Sequence, residues 1–377
     1  MSDVYITRLS KYLPNKPIDN DQMEEKLGRI NGNTSKARRI VLRNNKITTR
    51  YYALDDDGNV THNNAQLVKE AVELLCDNDF SKKDIELLSC GTSSPDQILP
   101  SHASMVHGYL EGGNLEVNSP SGACCSGMNA LKYGFMAIKS DQVNNAVCTG
   151  SERISSWMKS ELFADEISHL IELEKAPVLA FKKEFLRWML SDGAGAFLLE
   201  NKPKGDTPLK IEWMEGYSYA FELETCMYAG SDKLKDGKLK PWSEYTPEEW
   251  TDNSIFAIKQ DVKLLSENIL KKGVDSLKSA IKKHHIKPED ITYYLPHVSS
   301  YYFRERLYDE MIEQGVEIPW KNWFMNLSKV GNIGSGSIYI MLEELAASGK
   351  LKKGDTILLS VPESARFSYS YAYLTVC

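Results

Sequence analysis

The stretch "FSKKDIELLSCGTSS" (Phe80 to Ser94) decides the fold, because the chain returns to the same plan in "IKPEDITYYLPHVSS" (Ile286 to Ser300). Asp84-Ile85 in the first stretch lies opposite Asp290-Ile291 in the second, an offset of 206 residues (290 minus 84). Each stretch reads as a polar turn followed by a short apolar strand. The sequence therefore predicts an internal duplication.

The second region of the repeat is a loop that leads into a helix. In the first half it reads "SPSGACCSGMNALKYGFMAIK" and contains Cys124 and Cys125, and in the second it reads "NLSKVGNIGSGSIYIMLEELAASGK" and contains Asn332. His297 ends the strand that precedes the second loop. Because a duplicated fold brings equivalent positions together about its pseudo-twofold axis, we expect Cys125, His297 and Asn332 to meet. The pattern predicts a Cys-His-Asn enzyme.

Strands and helices alternate along the chain, which predicts an α/β fold with mostly parallel sheets covered by helices. The pattern breaks at 202–206, so we place the boundary between an N-terminal half (1–205), which carries the cysteines, and a C-terminal half (206–377), which carries the histidine and the asparagine. Two segments have no counterpart in the other half: 157–189, rich in large apolar residues, and 213–255, rich in Trp and Tyr. We expect these inserts to cap the site or to form a subunit contact.

The composition is that of an ordinary globular protein, with 42% hydrophobic and 26% charged residues and a net charge of -7. The negative charge argues against nucleic acid as a partner, since phosphates require a basic surface. The sequence begins without a signal pattern and contains no run of about 20 apolar residues, so we expect a cytoplasmic protein with no membrane span. The seven scattered cysteines lack the spacing of a zinc site and predict reduced thiols and no metal.

Cys125 is the candidate nucleophile. The small residues around it allow a tight turn into a helix, and the amides at a helix N-terminus lower the pKa of a thiol from about 8.5 into a range of about 3.5–7.5. The alternative is a buried structural cysteine. His297 and Asn332 also fit a core histidine and an ordinary turn residue, and only their place in the repeat selects them. As neutral donors they suit an enzyme that stabilises the enolate of a thioester.

Five local motifs, in order, resemble the ketoacyl synthase III group of the thiolase superfamily over essentially the whole chain. They are "TSSPDQILPSHA", "ACCSGM", "SDGAGAFLLE", "LPHVSS" and "VGNIGSGSI". The resemblance implies a thiolase-like five-layer αβαβα duplication, here with helical inserts, and a homodimer that needs no metal or redox cofactor. It also implies that the substrates are thioesters of an acyl carrier protein or of coenzyme A.

The same resemblance implies a role for each site residue. Cys125 takes the acyl group from a thioester, and its backbone amide forms part of an oxyanion hole. His297 and Asn332 promote decarboxylation of a malonyl-type extender and hold the enolate oxygen, and the enolate attacks the acyl-cysteine in a Claisen condensation. The family's cysteine directly precedes x-Gly, which selects Cys125 over Cys124, and we expect Cys124 to be a packing residue.

The loop "VPESARFSYS" departs from the family's Gly-Gly-Gly loop, which supplies the other oxyanion amide. Ser364 or Ala365 falls at that amide, where a side chain restricts a backbone geometry built on glycine. Glu363 has no counterpart in the family. It is a candidate acid or base, with a solvated loop glutamate as the alternative.

The family's tryptophan that stacks on adenine is also missing. The segment "SKARRIVLRNNKITTR" instead offers a basic cluster made of Lys36, Arg38, Arg39, Arg43 and Arg50. This cluster suits a phosphopantetheine or an acidic carrier-protein helix, and Arg38, Arg39 and Arg43 are the candidate contacts. The alternative is a solvated basic turn.

Leu99 replaces the family's bulky aromatic in the acyl-pocket loop, which leaves room for a longer or branched acyl chain. By the family's dimers, Leu99 approaches the pocket of the partner subunit. Together the departures resemble one subgroup, the bacterial ketosynthases that join two β-oxo-acyl-type thioesters and cyclise them toward dialkylresorcinols or flexirubin-type pigments.

Three other functions fit parts of the sequence. An acyltransferase on the same fold would load Cys125 and pass the acyl group to an alcohol or amine. A papain-like hydrolase also has Cys, His and Asn in this order, but it predicts a cysteine near the mature N-terminus and no duplication. An inactive partner of another ketosynthase usually lacks the nucleophile, whereas this chain keeps all three residues.

Overall fold

The computed structural model describes residues 2–32, 34, 35, 38–162 and 186–377. Within these residues the strands are β1 (Tyr5–Tyr12), β2 (Ile18–Asp19), β3 (Thr49–Arg50), β4 (Leu87–Thr92), β5 (Glu116–Asn118), β6 (Asn145–Glu152), β7 (Gly193–Glu200), β8 (Leu209–Ser218), β9 (Met227–Tyr228), β10 (Ser231–Lys233), β11 (Leu239–Pro241), β12 (Lys259–Gln260), β13 (Tyr293–Pro296), β14 (Thr356–Glu363) and β15 (Ser368–Val376). The helices are α1 (Met23–Leu27), α2 (Arg38–Asn45), α3 (Asn64–Glu73), α4 (His102–Leu110), α5 (Cys125–Lys139), α6 (Pro247–Asp252), α7 (Val262–Lys283), α8 (Tyr302–Glu313), α9 (Leu327–Val330) and α10 (Ser337–Ala347).

The main sheet of the described chain shows the duplication directly. Its nine strands lie in the order β5-β4-β6-β7-β1-β8-β15-β14-β13. On either side of the β1–β8 junction, equivalent strands follow in the same order: β1 matches β8, β7 matches β15, β6 matches β14 and β4 matches β13. The place of β5 in the second half is taken by an isolated parallel bridge between Tyr294 and Trp323.

Each half of the sheet is mixed, so the expectation of mostly parallel strands is wrong. β4 runs parallel to β6, and β13 runs parallel to β14. The later strands of each half pair antiparallel, β6 with β7 and then β7 with β1. In the second half the reason is local, because only four residues, 364–367, separate β14 from β15, and so short a connection reverses the chain.

The helices complete five layers. Helices α5 and α10 lie between the two halves of the sheet, since α5 contacts β4 and β6 of the first half and β14 and β15 of the second, while α10 contacts β1, β7 and β13. Helices α3 and α4 cover the outer face of the first half, and α7, with α8 packed on it, covers that of the second. This arrangement is the expected αβαβα fold.

Two glycines let the halves approach each other near the start of α5. A Cβ at Gly127 would lie 2.3 Å from the carbonyl oxygen of Ser335, and one at Gly150 would lie 2.2 Å from the same oxygen. Both distances are far shorter than a real Cβ contact, so only glycine fits at these positions. The loop before α10 therefore rests directly on α5 and on β6.

The two inserts are described to different extents. Most of the insert expected over 157–189 lies outside the described residues, which resume at Leu186. The insert expected over 213–255 begins later than predicted, because 213–218 belong to β8 and continue its pairing with β15. Its remaining part contains β9 to β11 and α6. In the part of the chain that the structure describes, none of the helices combines the length and apolar character needed to cross a bilayer.

Candidate active site

Cys125 is the first residue of α5, and its side chain is buried against the second half of the sheet. Only 3% of the residue is exposed, and it belongs to the central apolar cluster between the halves. Its Sγ donates a hydrogen bond of 3.3 Å to the carbonyl oxygen of Val361 in β14. Its backbone amide donates to Oε2 of Glu363 at 3.0 Å. The thiol therefore lies at the contact between the first copy's helix and the second copy's strand.

Two cavities meet beside this thiol. One encloses about 720 Å³ and the other about 560 Å³, counting the space that is open to solvent. They share four lining residues, which we call the common wall: Cys124, Gln260, Ser299 and Ser364. Cys125 lines neither cavity, although it directly follows Cys124 of the common wall in the sequence. The structure thus gives Cys124, expected to be a packing residue, a place on the surface of both cavities.

His297 lies in the first cavity, whose other walls are mostly apolar. It follows β13, is 3% exposed, and its backbone amide donates to the carbonyl oxygen of Ser360 at 2.8 Å. Burial lowers the pKa of His297 to about 4, so the imidazole is neutral near pH 7 and offers an N–H donor. Apolar side chains from α7, α8 and the strands line the rest of this cavity: Leu265, Ile269, Leu270, Leu277, Tyr294, Phe303, Leu307, Tyr369 and Tyr371.

Asn332 lies in the second cavity, and its loop is fixed on both sides. Its backbone amide donates to the carbonyl oxygen of Met189 at 2.9 Å, and its Oδ1 accepts from the amide of Gly334 at 2.9 Å. Gly331 before it has a φ of 72°, and a Cβ there would lie 2.8 Å from Cβ of Ser191. Since Oδ1 is occupied by Gly334, the amide nitrogen Nδ2 is the group left to serve a ligand.

The structure thus brings two of the three predicted residues to adjoining cavities and places the third directly behind the wall they share. His297 lines one cavity, Asn332 lines the other, and Cys125 follows Cys124 of the common wall. The pseudo-symmetry inferred from the repeat explains this arrangement, because the start of α5 and the loop before α10 are equivalent points of the two halves.

Glu363 differs most from its expected surroundings. It ends β14, and its Oε2 accepts hydrogen bonds of 3.0 Å from the backbone amides of Ala123 and of Cys125. It is therefore not a solvated loop glutamate. Burial raises the pKa of Glu363, and the two amides oppose that rise because they favour the carboxylate.

This contact bears on two expectations. The Cys125 amide is predicted to form part of the oxyanion hole, and in the structure it donates to the carboxylate of Glu363. The pKa of the Cys125 thiol was expected to be lowered, but burial raises it, and the negative charge of Glu363 and the neighbouring Cys124 add to the rise. The thiol is buried, and the carboxylate of Glu363 already binds the amides at the positive end of the helix.

Ser364, the other expected oxyanion residue, lies on the common wall. Its hydroxyl accepts a hydrogen bond of 3.0 Å from Nε2 of Gln260. Gln260 ends β12, just beyond the insert that follows β8, and Met227 of that insert and Ile258 after it also line the second cavity. The insert and the segment that follows it therefore cover the site.

The basic cluster is divided between surface and interior. Arg39 and Arg43 on α2 are exposed, whereas Arg38 is half-buried and forms an ion pair of 3.2 Å with Glu24. Arg50 is fully buried, so its assignment to a surface cluster is wrong. Its place in the two-residue strand β3 turns the side chain inward, opposite to that of Thr49. Lys36 lies outside the described residues.

Leu99 lies in an exposed loop and lines neither cavity of this single chain. It is 83% exposed, and Ile98 beside it is 74% exposed. Two large apolar side chains on one loop tip, both open to solvent, are suited to a surface that another subunit covers.

Glu152 is a residue of the site that the sequence analysis missed. It ends β6, is 2% exposed, and lines the second cavity together with Asn332. Its carboxylate accepts from the hydroxyls of Ser93 (2.8 Å), Ser94 (2.6 Å) and Ser335 (2.9 Å). The available signal was an acidic residue at the end of an apolar strand. Among the described residues, no cluster of His, Cys, Asp and Glu has the arrangement of a metal site.

Comparison with known proteins supplies the context for this site. Residues 281–362, which include His297 and Asn332, match the family model described as "3-Oxoacyl-[acyl-carrier-protein (ACP)] synthase III C terminal". Over 98% of both chains, the protein is 24% identical to "Beta-ketoacyl-[acyl-carrier-protein] synthase III" from Chlorobaculum tepidum.

Solved structures are similar over nearly the whole chain. The structure of "AbyA1 - tetronic acid condensing enzyme" matches with a TM-score of 0.74 at 18% identity, covering 99% of each chain. OleA from Xanthomonas campestris, solved with bound lauric acid and lauroyl-CoA, matches with a TM-score of 0.72 at 18% identity, also covering 99% of each chain. These likenesses establish the fold.

Proposed function

Because the chain belongs to the β-ketoacyl-acyl-carrier-protein synthase III-like family, we propose that it is a condensing enzyme that joins two acyl thioesters. Cys125 accepts the first acyl group, and the enolate of the second thioester attacks it in a Claisen condensation. The observation that carries this proposal is the pair of cavities that meet at one wall beside Cys125. Each cavity accommodates the substituent of one substrate.

The two cavities suit different parts of the substrates. The first is lined mainly by leucine, isoleucine, phenylalanine and tyrosine side chains, which favour a hydrocarbon tail by about 0.8 kcal/mol per buried methylene. The second contains Glu152, Ser93 and Asn332, whose polar groups suit an oxo or thioester function. The substrate class we propose is therefore a pair of thioesters, one with a long or branched alkyl tail and one of the β-oxo-acyl type.

The chemistry follows from the charge states of the side chains. The enolate forms when a malonyl-type thioester loses its carboxylate as carbon dioxide, or when a β-oxo-acyl thioester loses its acidic α-proton to water. Its negative charge is then carried on oxygen. The neutral imidazole of His297 and the Nδ2 group of Asn332 donate hydrogen bonds to that oxygen, and this stabilises the developing charge. Attack of the enolate carbon on the acyl-Cys125 carbonyl forms the new C–C bond, and collapse of the intermediate returns the thiolate of Cys125.

The remaining features assign partners to this reaction. Exposed Arg39 and Arg43 on α2 suit the acidic surface of an acyl carrier protein or the phosphate of its phosphopantetheine. The exposed pair Ile98 and Leu99 suits the interface of a homodimer, in which Leu99 reaches the partner subunit's pocket. Cyclisation of the joined chain to a cyclohexanedione, the precursor of a dialkylresorcinol, completes the proposal.

The test is a product assay with two thioesters supplied together. Wild-type protein, acyl carrier-protein thioesters of graded tail length and a β-oxo-acyl thioester should yield a product whose mass contains both acyl groups. Replacing Arg39 and Arg43 by Glu should slow loading from the carrier protein more than from coenzyme A. Transfer of the acyl group to an alcohol or amine, with the second thioester unconsumed, would identify an acyltransferase instead.

A further inference from the structure

The carboxylate of Glu363 occupies the position at which an acyl oxygen would bind. Two backbone amides, those of Ala123 and Cys125, point at its Oε2 from 3.0 Å each. Backbone amides at the start of a helix can donate hydrogen bonds to an oxyanion that forms on an acyl group attached to the first residue of that helix. While Glu363 holds both of them, the carbonyl of an incoming thioester has no access to these donors.

Two anions compete for the same amides. The thiolate of Cys125 and the carboxylate of Glu363 each gain from the positive end of α5. Burial raises the pKa of the Cys125 thiol, and the negative charge of Glu363 raises it further because the two charges have the same sign. Cys125 is buried and Glu363 is largely shielded, so a site with both groups ionised is costly. Such a pair holds one negative charge and one proton between its two members.

We propose that Cys125 and Glu363 share a single proton, and that its transfer from sulfur to carboxylate opens the oxyanion hole. This rests on the proposed function, in which Cys125 takes an acyl group from a thioester. In the resting site the proton is on sulfur and the carboxylate holds the amides. In the reactive state the proton is on Glu363. The neutral carboxyl group accepts hydrogen bonds less strongly than the carboxylate, so it releases the two backbone amides.

The loading step then balances. The Cys125 thiol gives its proton to Glu363, and the thiolate forms a bond to the carbonyl carbon of the thioester while the carbonyl electron pair moves to oxygen. The freed amides of Ala123 and Cys125 hold this oxyanion. Collapse restores the carbonyl and breaks the bond to the carrier sulfur, which takes the proton back from Glu363. The carboxylate that results is ready for the next cycle.

The other titratable groups around the pair do not replace Glu363. Those that face it or the two thiols in the described structure are Cys124, Glu152, His297, Tyr369 and Tyr371. Burial keeps the imidazole of His297 neutral and a poor proton acceptor, with a pKa of about 4. The pKa values of Tyr369, Tyr371 and Cys124 are raised, so these groups retain their own protons. Glu152 already accepts from three hydroxyls.

The experiment compares two rates in the wild type and in Glu363→Gln, which keeps the shape of the side chain but takes no proton. The first is alkylation of Cys125 by iodoacetamide at pH 7, located by fragment mass spectrometry to separate it from Cys124. The second is loading from an acyl thioester. Removing the like charge should lower the pKa of the thiol and speed alkylation about tenfold. Removing the proton acceptor should slow loading by about 10²-fold or more.

Opposite movement of the two rates is the result we expect, with Glu363→Asp recovering part of the loading rate. If Glu363 has a purely structural role, both rates should change in the same direction, and that result would overturn the proposal. Loading of Glu363→Gln at the wild-type rate would also overturn it. Thermal unfolding shows whether each variant is folded. If the wild type takes no acyl group but Cys125 is still alkylated faster in Glu363→Gln than in the wild type, the proposed function is wrong. The proposal that Cys125 and Glu363 share a proton is then still supported.

Discussion

The hydroxyl of Ser335 donates a hydrogen bond of 2.9 Å to the carboxylate of Glu152, and this contact joins the loop that carries Asn332 to the end of β6. The hydroxyls of Ser93 and Ser94 bind the same carboxylate from the end of β4. A single buried side chain therefore fixes elements from both halves of the duplicated fold beside the second cavity.

Replacing Glu152 by Ala leaves the hydroxyls of Ser93 and Ser94 without their acceptor, whereas that of Ser335 keeps the carbonyl oxygen of Ser151 at 2.9 Å. Because each unsatisfied buried group costs about 1–3 kcal/mol, we expect the free energy of unfolding to fall by about 2 kcal/mol or more. Urea unfolding measures this loss. The loop of Asn332 also loses its anchor, so condensation should slow more than loading of Cys125. Equal slowing of both steps would contradict the positioning role of Glu152, and Glu152→Gln should restore part of the stability.

Gly331 and Gly349 can be compared to test the loop from its other side. Both have positive φ, 72° and 68°, but Gly331 also has a ψ of -174°, a combination that essentially only glycine adopts, so an alanine there is strained by the backbone as well. At Gly349 the new Cβ meets nothing within 4 Å, whereas at Gly331 it lies 2.8 Å from Cβ of Ser191. Thermal unfolding should show a larger loss for Gly331→Ala, and only this variant should impair condensation. Similar losses in both variants would count against a tight loop.

Leu270 on α7 lines the first cavity, and Ser266, one turn earlier on the same helix, is exposed. Leu270→Trp should fill part of the cavity and shift the preferred acyl tail toward shorter chains. Each methylene that loses its contact costs about 0.8 kcal/mol, a factor of about four in kcat/KM. Competition between thioesters of graded length measures the shift. Ser266→Trp is the control, because it places the same side chain outside the cavity. If Ser266→Trp shifted the preferred tail length by a similar amount, this cavity would not be the one that binds the acyl tail.

The pKa of His297 makes a prediction about stability. Burial holds it at about 4, below the ordinary value of 6.5, so between these values the folded chain binds fewer protons than the unfolded chain. The free energy of unfolding must then fall as the pH falls through this window. At pH 5 the loss from this group is about 2 kcal/mol relative to neutral pH. Urea unfolding at pH 7 and pH 5 should show a smaller loss in His297→Gln; an unchanged loss would mean that His297 titrates normally.

Much of the fold follows from local patterns in the sequence. Met128, Leu131, Phe135 and Ile138 recur at helical spacing, and all four are buried on α5. The repeat at Asp84 and Asp290 marks equivalent turns before β4 and β13, and it correctly predicts the duplicated α/β architecture. The antiparallel pairing was missed because the burial of β7 and β14 on both faces gives them the apolar composition that is also typical of parallel strands.

The site was harder to predict, since its details depend on side-chain direction. Cys124 and Cys125 are adjacent, and only the packing of α5 against β14 decides which thiol faces the cavities and which faces Val361. Arg50 belongs to a basic run in sequence, but the inward direction of its side chain on β3 buries it. Glu363 contacts residues 238 and 240 positions earlier in the chain, so no local pattern reveals its hydrogen bonds to Cys125 and Ala123.

The central claim is that Cys125 carries the acyl group during condensation, and locating the adduct within the chain tests it most directly. Asn332→Ala should still load but should not condense, so it should accumulate the acylated protein when both thioesters are supplied. Fragment mass spectrometry of the acylated peptide should place the added mass on Cys125, and Cys125→Ala should show none. An adduct on Cys124, or a wild-type protein that acquires none from any acyl thioester, would contradict the account.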